Sequence, residues 1–333
     1  MGRILRNAFL IGLILCTAIA FVGCRRDADG VRTLRLGSGL ADGTVEVVSA
    51  REFARLVELY SGGTMRVEVL AGGLAGGERE IIESMQLGIM DMTVASGILQ
   101  NFDPVMMVLE YELLFINEPH VRAVFEGPVG EKIFGRLLET TGIRNLAMFM
   151  RTPRLMTTNR PIHSIDDLRG LQLRIPEMEA RIALWTELGA SPTPMSFHEV
   201  YTALQTGVID GQENPISVIQ SARFYEVVNY LALTNHVYGF MFLMIAETTW
   251  RSLNDQQREW VSRAAAEAAI FNDREVRALE QQQLEYVKQF MTVTHPDTSG
   301  WRAITANVYQ RFLHIDGFGE IYRAIVEAGR EFE

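Results

Sequence analysis

The chain has 333 residues, 48% of them apolar and 22% charged, and a formal net charge of −10 at pH 7. This composition supports a globular protein with room for two ordinary domains and excludes a disordered or low-complexity chain. The acidic balance argues against nucleic acid or an anionic lipid surface as partner, so an anionic ligand would need a locally basic pocket.

Arg3 and Arg6 begin a segment whose positions 8–22 are almost uninterruptedly apolar, closed by Gly23-Cys24. Basic, apolar and small residues in that order predict an export signal over 1–23. The apolar run is short for the ~20 residues of a permanent membrane-spanning helix, which is the alternative. Removing 1–23 takes away two arginines and no acid, so the formal charge moves from −10 to −12. Phe21-Val22-Gly23-Cys24 is similar to a bacterial lipobox, with Phe where Leu is usual. Cys16 and Cys24 are the only cysteines, so no disulfide framework holds the body. Cys24 reads as a lipid attachment point rather than a catalytic thiol; ordinary cleavage, leaving a free protein, is the alternative. Residues 25–32 read as a polar tether.

Alternation predicts a first strand over Thr33–Leu36, and helical spacing runs from Val47 to Tyr60, where Ser61-Gly62-Gly63 ends it. A strand at Met65–Val69, a glycine loop at 72–77, a helix opened by Glu78 and a strand at Met92–Val94 follow. A second run of such units starts near Arg151. It holds strands at Leu155–Thr158 and Gln172–Ile175, helices at Glu177–Leu188 and His198–Leu204, and a strand at Val208-Ile209. Phe240–Ala246 is apolar throughout, as a buried strand is. From Asn254-Asp255 to about Gln289 there is neither Gly nor Pro, which predicts one helix far above the ~11–12 residue mean and long enough to bridge two lobes. Strand and helix alternate, so the expected class is α/β with largely parallel sheets.

Several motifs carry no chemistry. Gly37-Ser38-Gly39 follows a strand, but Asp42 stands where a dinucleotide fingerprint needs Gly or Ala. The glycines at 72–77 lack a following Gly-Lys-Ser/Thr, and the six histidines have no zinc spacing. Pairs such as Glu78/Glu80 suit a solvated helix start. No catalytic constellation is found, so no enzyme, metal or cofactor is expected.

Specific motifs lie between 151 and 236. Arg154-Leu-Met-Thr-Thr-Asn159 is followed by Leu171-Gln-Leu-Arg174-Ile-Pro176, then Pro194-Met-Ser-Phe197 and Asp210-Gly-Gln-Glu-Asn214-Pro215. Leu171–Ile175 reads as a short strand stopped by Pro176, which sets Arg174 near a strand end, where open α/β sheets bind ligands. Its planar fork of donors matches a carboxylate. With 29 of 31 basic residues being Arg, surface solvation is the competing reading of any one arginine.

In order and spacing these motifs closely resemble the DctP-type substrate-binding proteins of tripartite ATP-independent periplasmic (TRAP) transporters, over essentially the whole exported chain. The resemblance implies a two-lobed periplasmic-binding-protein-like fold. Each lobe would be a mixed, mostly parallel sheet flanked by helices, with lobe I at 33–151 plus 240–279 and lobe II at 152–239 plus 280–333. It implies that Arg174 grips a ligand carboxylate, that Arg154 is a second cationic contact (Arg151 is close enough to trade roles), and that Phe197 is an apolar wall. Asn214 would be an amide contact, although Asn214-Pro215 also suits a turn. The implied partners are a small organic acid and the small and large membrane subunits of the transporter, with membrane contact through the lipid anchor and a periplasmic location.

Sialic-acid binders of the family carry a Glu and an Arg where this chain has Ser96 and Leu99, and an Asn where it has Gly39. Those departures argue against sialic acid. Gly77-Glu78-Arg79-Glu80 resembles the loop of members that bind sugar acids, in which the acid accepts hydroxyl hydrogen bonds. Glu78, Ser96 and Gly39 are therefore expected to line the site, and a sugar acid or related hydroxy acid is expected as ligand. A C4-dicarboxylate, an apolar monocarboxylate, or an exported enzyme acting on a sugar acid stand behind it.

Overall fold

The computed structural model describes residues 30–332; the export signal, Cys24 and most of the tether lie outside the described residues. Two sheets organise the chain. The first has the order β2-β1-β3-β10-β4, from β1 (Arg32–Gly37), β2 (Met65–Leu70), β3 (Met92–Ala95), β4 (Ile143–Met150) and β10 (Phe240–Ala246). The second has the order β11-β9-β5-β8-β6-β7, from β5 (Arg154–Thr158), β6 (Gln172–Ile175), β7 (Ser191–Pro194), β8 (Gly211–Pro215), β9 (Tyr230–Ala232) and β11 (Thr292–Thr294). Each sheet contains one reversed strand. β10 runs antiparallel to β3 and β4, and β5 antiparallel to β8 and β9, while the other pairs are parallel.

Strand periodicity sorts the core. In β10 every residue is buried, with Phe240, Phe242 and Met244 packing into the cluster on one face of the first sheet and Met241, Leu243 and Ile245 into the cluster on the other. An antiparallel strand covered on both faces reads as an unbroken apolar run, which is how Phe240–Ala246 reads. In the second sheet Leu155 and Leu231 face one core while Met156 and Ala232 face the other.

The long helix spans Asp255–Val287, 33 residues, and starts with a capping box in which Asn254 and Gln257 satisfy each other's backbone N–H groups. Its Val261, Ala264, Ala265 and Ala268 pack into the first lobe and Val287 into the second, so it bridges the two. Small residues at that spacing let it approach closely, and Asn272 Nδ2 donates to Ser49 Oγ of the helix Val45–Tyr60 at 3.2 Å.

Two expectations change. Val208-Ile209 is not a strand: it lies in a turn after Gly207, whose φ is +72°, and the strand is β8 at Gly211–Pro215. Of the segment 280–333, β11 joins the second sheet, whereas Phe318, Ile321 and Ile325 of the helix Phe318–Gly329 pack into the first-lobe cluster with Val105, Leu109 and Phe115. The amphipathic face of that last helix finds its partner more than two hundred residues upstream, which no local pattern records.

Candidate functional site

A cleft of about 700 Å³, counted out to its open mouth, separates the lobes, a size suited to a small ligand. The carboxyl ends of the parallel strands feed it from both sides: Gly39 after β1, Gly77 and Glu78 after β2, Gly97 and Ile98 after β3, Pro176 after β6, Ser196 and Phe197 after β7, and Asn214 at the end of β8. Arg154 starts the reversed strand β5 and is paired in register with Pro215. The reversal therefore delivers Arg154 to the same edge as Asn214.

Alternation in β6 sends Leu173 and Ile175 into the core and Arg174 to the opposite face. Arg174 is only 3% exposed. Its Nε and Nη2 both donate to the Met195 carbonyl, at 3.0 and 2.7 Å, and its guanidinium lies 5.9 Å from the Phe197 ring centroid. Among the described residues no carboxylate forms an ion pair with it. Burial pulls its pKa down to about 10 despite the nearby Glu213, and Arg154 lowers it further. It remains a cation at neutral pH, held in place by a backbone carbonyl and stacked on an aromatic face, with no counter-charge in contact.

Arg154, equally buried, is differently placed. It forms an ion pair with Glu213, Nη2 lying 2.9 Å from Oε1, and Nη2 also donates to the Glu213 carbonyl at 2.8 Å. Burial alone would lower its pKa, but Glu213 more than offsets that and raises it. Behind it lies a cluster the sequence motifs do not announce. Arg181 is fully buried; its Nη1 donates to Glu110 Oε2 at 2.9 Å. Its Nε and Nη2 lie 2.9 Å from Glu112 Oε1 and 2.8 Å from Glu213 Oε2, close in distance but off the hydrogen-bond axis. Although burial opposes it, Arg154 and Arg181 hold the Glu213 carboxyl well below the usual carboxylate range. Burial keeps His236 below its ordinary value, so its Nε2–H donates to Glu213 (3.1 Å) while Nδ1 accepts from the Thr234 hydroxyl (2.8 Å). Arg151 also lines the cleft; its Nε pairs with Glu46, and its Nη2 is buried with no hydrogen-bond partner.

Of the expected residues, Arg174, Arg154, Asn214, Phe197, Glu78 and Gly39 line this one cleft. Asn214 Nδ2 donates to Gln212 Oε1 at 2.6 Å, and Gln212 in turn donates to Thr157 Oγ1 at 2.8 Å, so the amide is held in place from within its own sheet. Phe197 packs against the cores of both lobes. Ser96 does not line the cleft. Its hydroxyl is buried without a hydrogen-bond partner, and the wall at that point is Gly97 and Ile98. A Cβ at Gly97 would sit 2.2 Å from Met178 Cε of the second lobe, so this glycine lets the lobes touch. The lobes also meet where Asn101 Nδ2 donates to the Glu177 carbonyl (2.8 Å) and the Ala180 N–H to Gln100 Oε1 (3.1 Å).

Glu78 opens the helix Glu78–Gln86 and faces Gly39, where an added Cβ would lie 3.6 Å from its Cγ, ordinary contact. Burial of its carboxyl, with Glu110 adding repulsion, pushes its pKa up to about 7 against the pull of Arg151, Arg174 and Arg154. It is half-buried and has no ion pair among the described residues.

A mainly small and apolar wall faces a networked basic wall whose central arginine lacks a counter-ion. The family described as bacterial extracellular solute-binding protein, family 7 (DctP), matches residues 36–315. The chain belongs to this family. It is 31% identical, over 92% of its length and 94% of the relative's, to the sialic acid-binding periplasmic protein SiaP of Vibrio cholerae. Among solved structures it superposes, with a TM-score of 0.84 and 34% identity, on a TRAP periplasmic solute-binding protein of Roseobacter denitrificans with bound L-galactonate, covering 89% of this chain and 98% of that one. The sugar acid binding protein DctPAm of Advenella mimigardefordensis, in complex with galactonate, gives a TM-score of 0.87 at 29% identity, covering 91% and 99%. The two-lobed α/β fold is thus that of TRAP solute-binding proteins, and this DctP-family chain is a TRAP substrate-binding protein.

Proposed function

We propose that this DctP-family protein binds a sugar acid or related hydroxy acid in the cleft, with the ligand carboxylate on Arg174, and delivers it unchanged to the transporter's membrane subunits. The observation that carries the reading is the buried Arg174 guanidinium, positioned by the Met195 carbonyl and Phe197 yet lacking a carboxylate partner. A bidentate ligand carboxylate supplies that partner, in a site dry enough to strengthen it. Arg154, paired with Glu213 through Nε and Nη2, supports this grip from behind, its Nη1 lying 4.0 Å from Glu110 without a hydrogen bond to Glu213. Asn214 and Glu78 face the ligand's hydroxyl groups, and Phe197 covers its carbon chain. The galactonate complexes of two relatives support the same ligand class.

The first-lobe wall also bears on the ligand. Gly39 leaves space there, and Glu78, which has no ion pair among the described residues, suits a hydroxylated chain better than a second carboxylate. Binding is the whole activity in this reading, and the Gly23-Cys24 sequence supports lipid anchoring of the exported protein at Cys24. Calorimetry with galactonate, galacturonate and erythronate against succinate tests the ligand class; tighter binding of succinate overturns it. Mass spectrometry of the mature amino terminus tests the anchor.

A further inference from the structure

The cleft and the buried ion-pair network behind it together hold more acids than bases before any ligand enters. Arg151, Arg154, Arg174 and Arg181 are the buried cations in and behind it. Glu46 pairs with Arg151, and Glu110, Glu112 and Glu213 share Arg154 and Arg181. Glu78 is a fifth carboxyl, and it has no partner. A ligand carboxylate on Arg174 brings a sixth acid beside four cations, in a space whose charged groups are already largely buried. Like charges confined in this way do not all stay ionised, and the least paired group takes the proton.

The groups facing Glu78 come from every neighbouring element. They are Glu110 ahead of it, Arg151 and Arg154 at the junction of β4 and β5, Arg174 on β6, Arg79 and Glu80 on its own helix, and Glu177 and His198 across the mouth. Arg79 is turned to the rim, 3.9 Å from Glu177, and does not neutralise Glu78.

We propose that the cleft takes up a proton together with its organic acid, and that the Glu78 carboxyl holds it, donating a hydrogen bond to the ligand. This rests on the reading of the cleft as an organic-acid site. Above pH 7 the carboxylate of Glu78 takes up to one proton from solvent for each anion bound, so that ligand and proton enter as a neutral pair. In the empty cleft Glu78 already titrates at about 7, and an anion beside it moves that value upward. The complex then holds more protons than the free protein above pH 7. Affinity is flat below that point and weakens as pH rises, by up to about tenfold per pH unit for one linked proton.

Isothermal titration calorimetry with galactonate, galacturonate, erythronate and succinate at pH 8, in buffers of different ionisation enthalpy, counts the protons directly. The expected result is uptake approaching one proton per ligand in the native protein and close to none in Glu78→Gln, whose Kd loses its pH dependence between pH 7 and 8.5. Binding without proton exchange in the native protein overturns the proposal and leaves the organic-acid reading standing. Uptake that persists in Glu78→Gln and disappears in Glu112→Gln overturns the assignment to Glu78. A panel in which no acid binds overturns the organic-acid reading and, with it, the proposal.

Discussion

The two walls of the cleft are built on different principles. On the second lobe, Arg174, Arg154 and Asn214 are each buried and held by neighbours before a ligand arrives: the Met195 carbonyl, Glu213 and Gln212. On the first lobe, Gly39 leaves room, Gly77 and Gly97 let neighbouring side chains close in, and Glu78 stands without an ion pair among the described residues. A pre-organised wall loses little freedom on binding and suits the carboxylate that every ligand of the class shares. A wall of small residues with one adjustable acid suits the part of the ligand that differs. In the proposed reading the fixed half supplies affinity and the open half supplies choice.

The comparison breaks first at the buried network. Glu213→Ala removes the closest anion that Arg154 and Arg181 share, and thermal denaturation should show a loss of about 3–5 kcal/mol, the cost of breaking a buried pair from one side. An equal loss from Glu78→Ala would remove the distinction between the walls. Next, Arg174→Ala should weaken sugar-acid binding by about 2–5 kcal/mol in calorimetry while circular dichroism stays native. Retained affinity would show that the carboxylate is held elsewhere.

A pH series sharpens the contrast. Glu78 and Glu112 both have pKa values pushed up to about 7, in each case with burial as the leading cause. Between the usual carboxylate range and pH 7 the folded protein therefore holds protons that the unfolded chain has released, and this contribution to stability falls as pH rises through that window. Glu213 acts in the opposite direction: its contribution is full above the usual carboxylate range and is lost progressively as pH falls from that range down through its depressed folded value. The melting temperature of the ligand-free protein should thus drop from pH 5 to 7, and less steeply in Glu78→Gln; an unchanged slope would deny Glu78 its place in the cleft. The smallest effect belongs to Gly39→Ala. Its Cβ meets only ordinary contacts at 3.6 Å and beyond, so stability should stay within about 0.5 kcal/mol, while any change in ligand preference reports how closely that wall is read.

Much of this was legible before folding. Strand alternation around Leu171–Ile175 isolated Arg174 from its core neighbours, and Pro176 marked the strand end that places it at the cleft. The long helix followed from its cap and its lack of Gly and Pro. Glu213 lay inside a recognised motif, one residue from Asn214, and alternation within β8 is the signal that puts the two on opposite faces. Ser96 was misplaced because a single-residue offset at the end of β3 decides whether a side chain points into the cleft, and the loop sequence does not set that offset. Arg181, Glu110 and Glu112 were invisible as a group. Arg181 lies about seventy residues from the two glutamates along the chain, and nothing local pairs it with them.

Spacing within a few residues was enough for the α/β alternation, the periodicity that buries each strand and the placing of Arg174 at a strand end off the core face, whereas its reading as a carboxylate contact came from the family resemblance. Only the tertiary structure decided that Arg154 would be occupied by Glu213 and that Glu78 would be left alone among more acids than bases. Those outcomes depend on which charges the packing of two lobes brings into one low-dielectric space, and charge balance in such a space is a property of the assembled cleft.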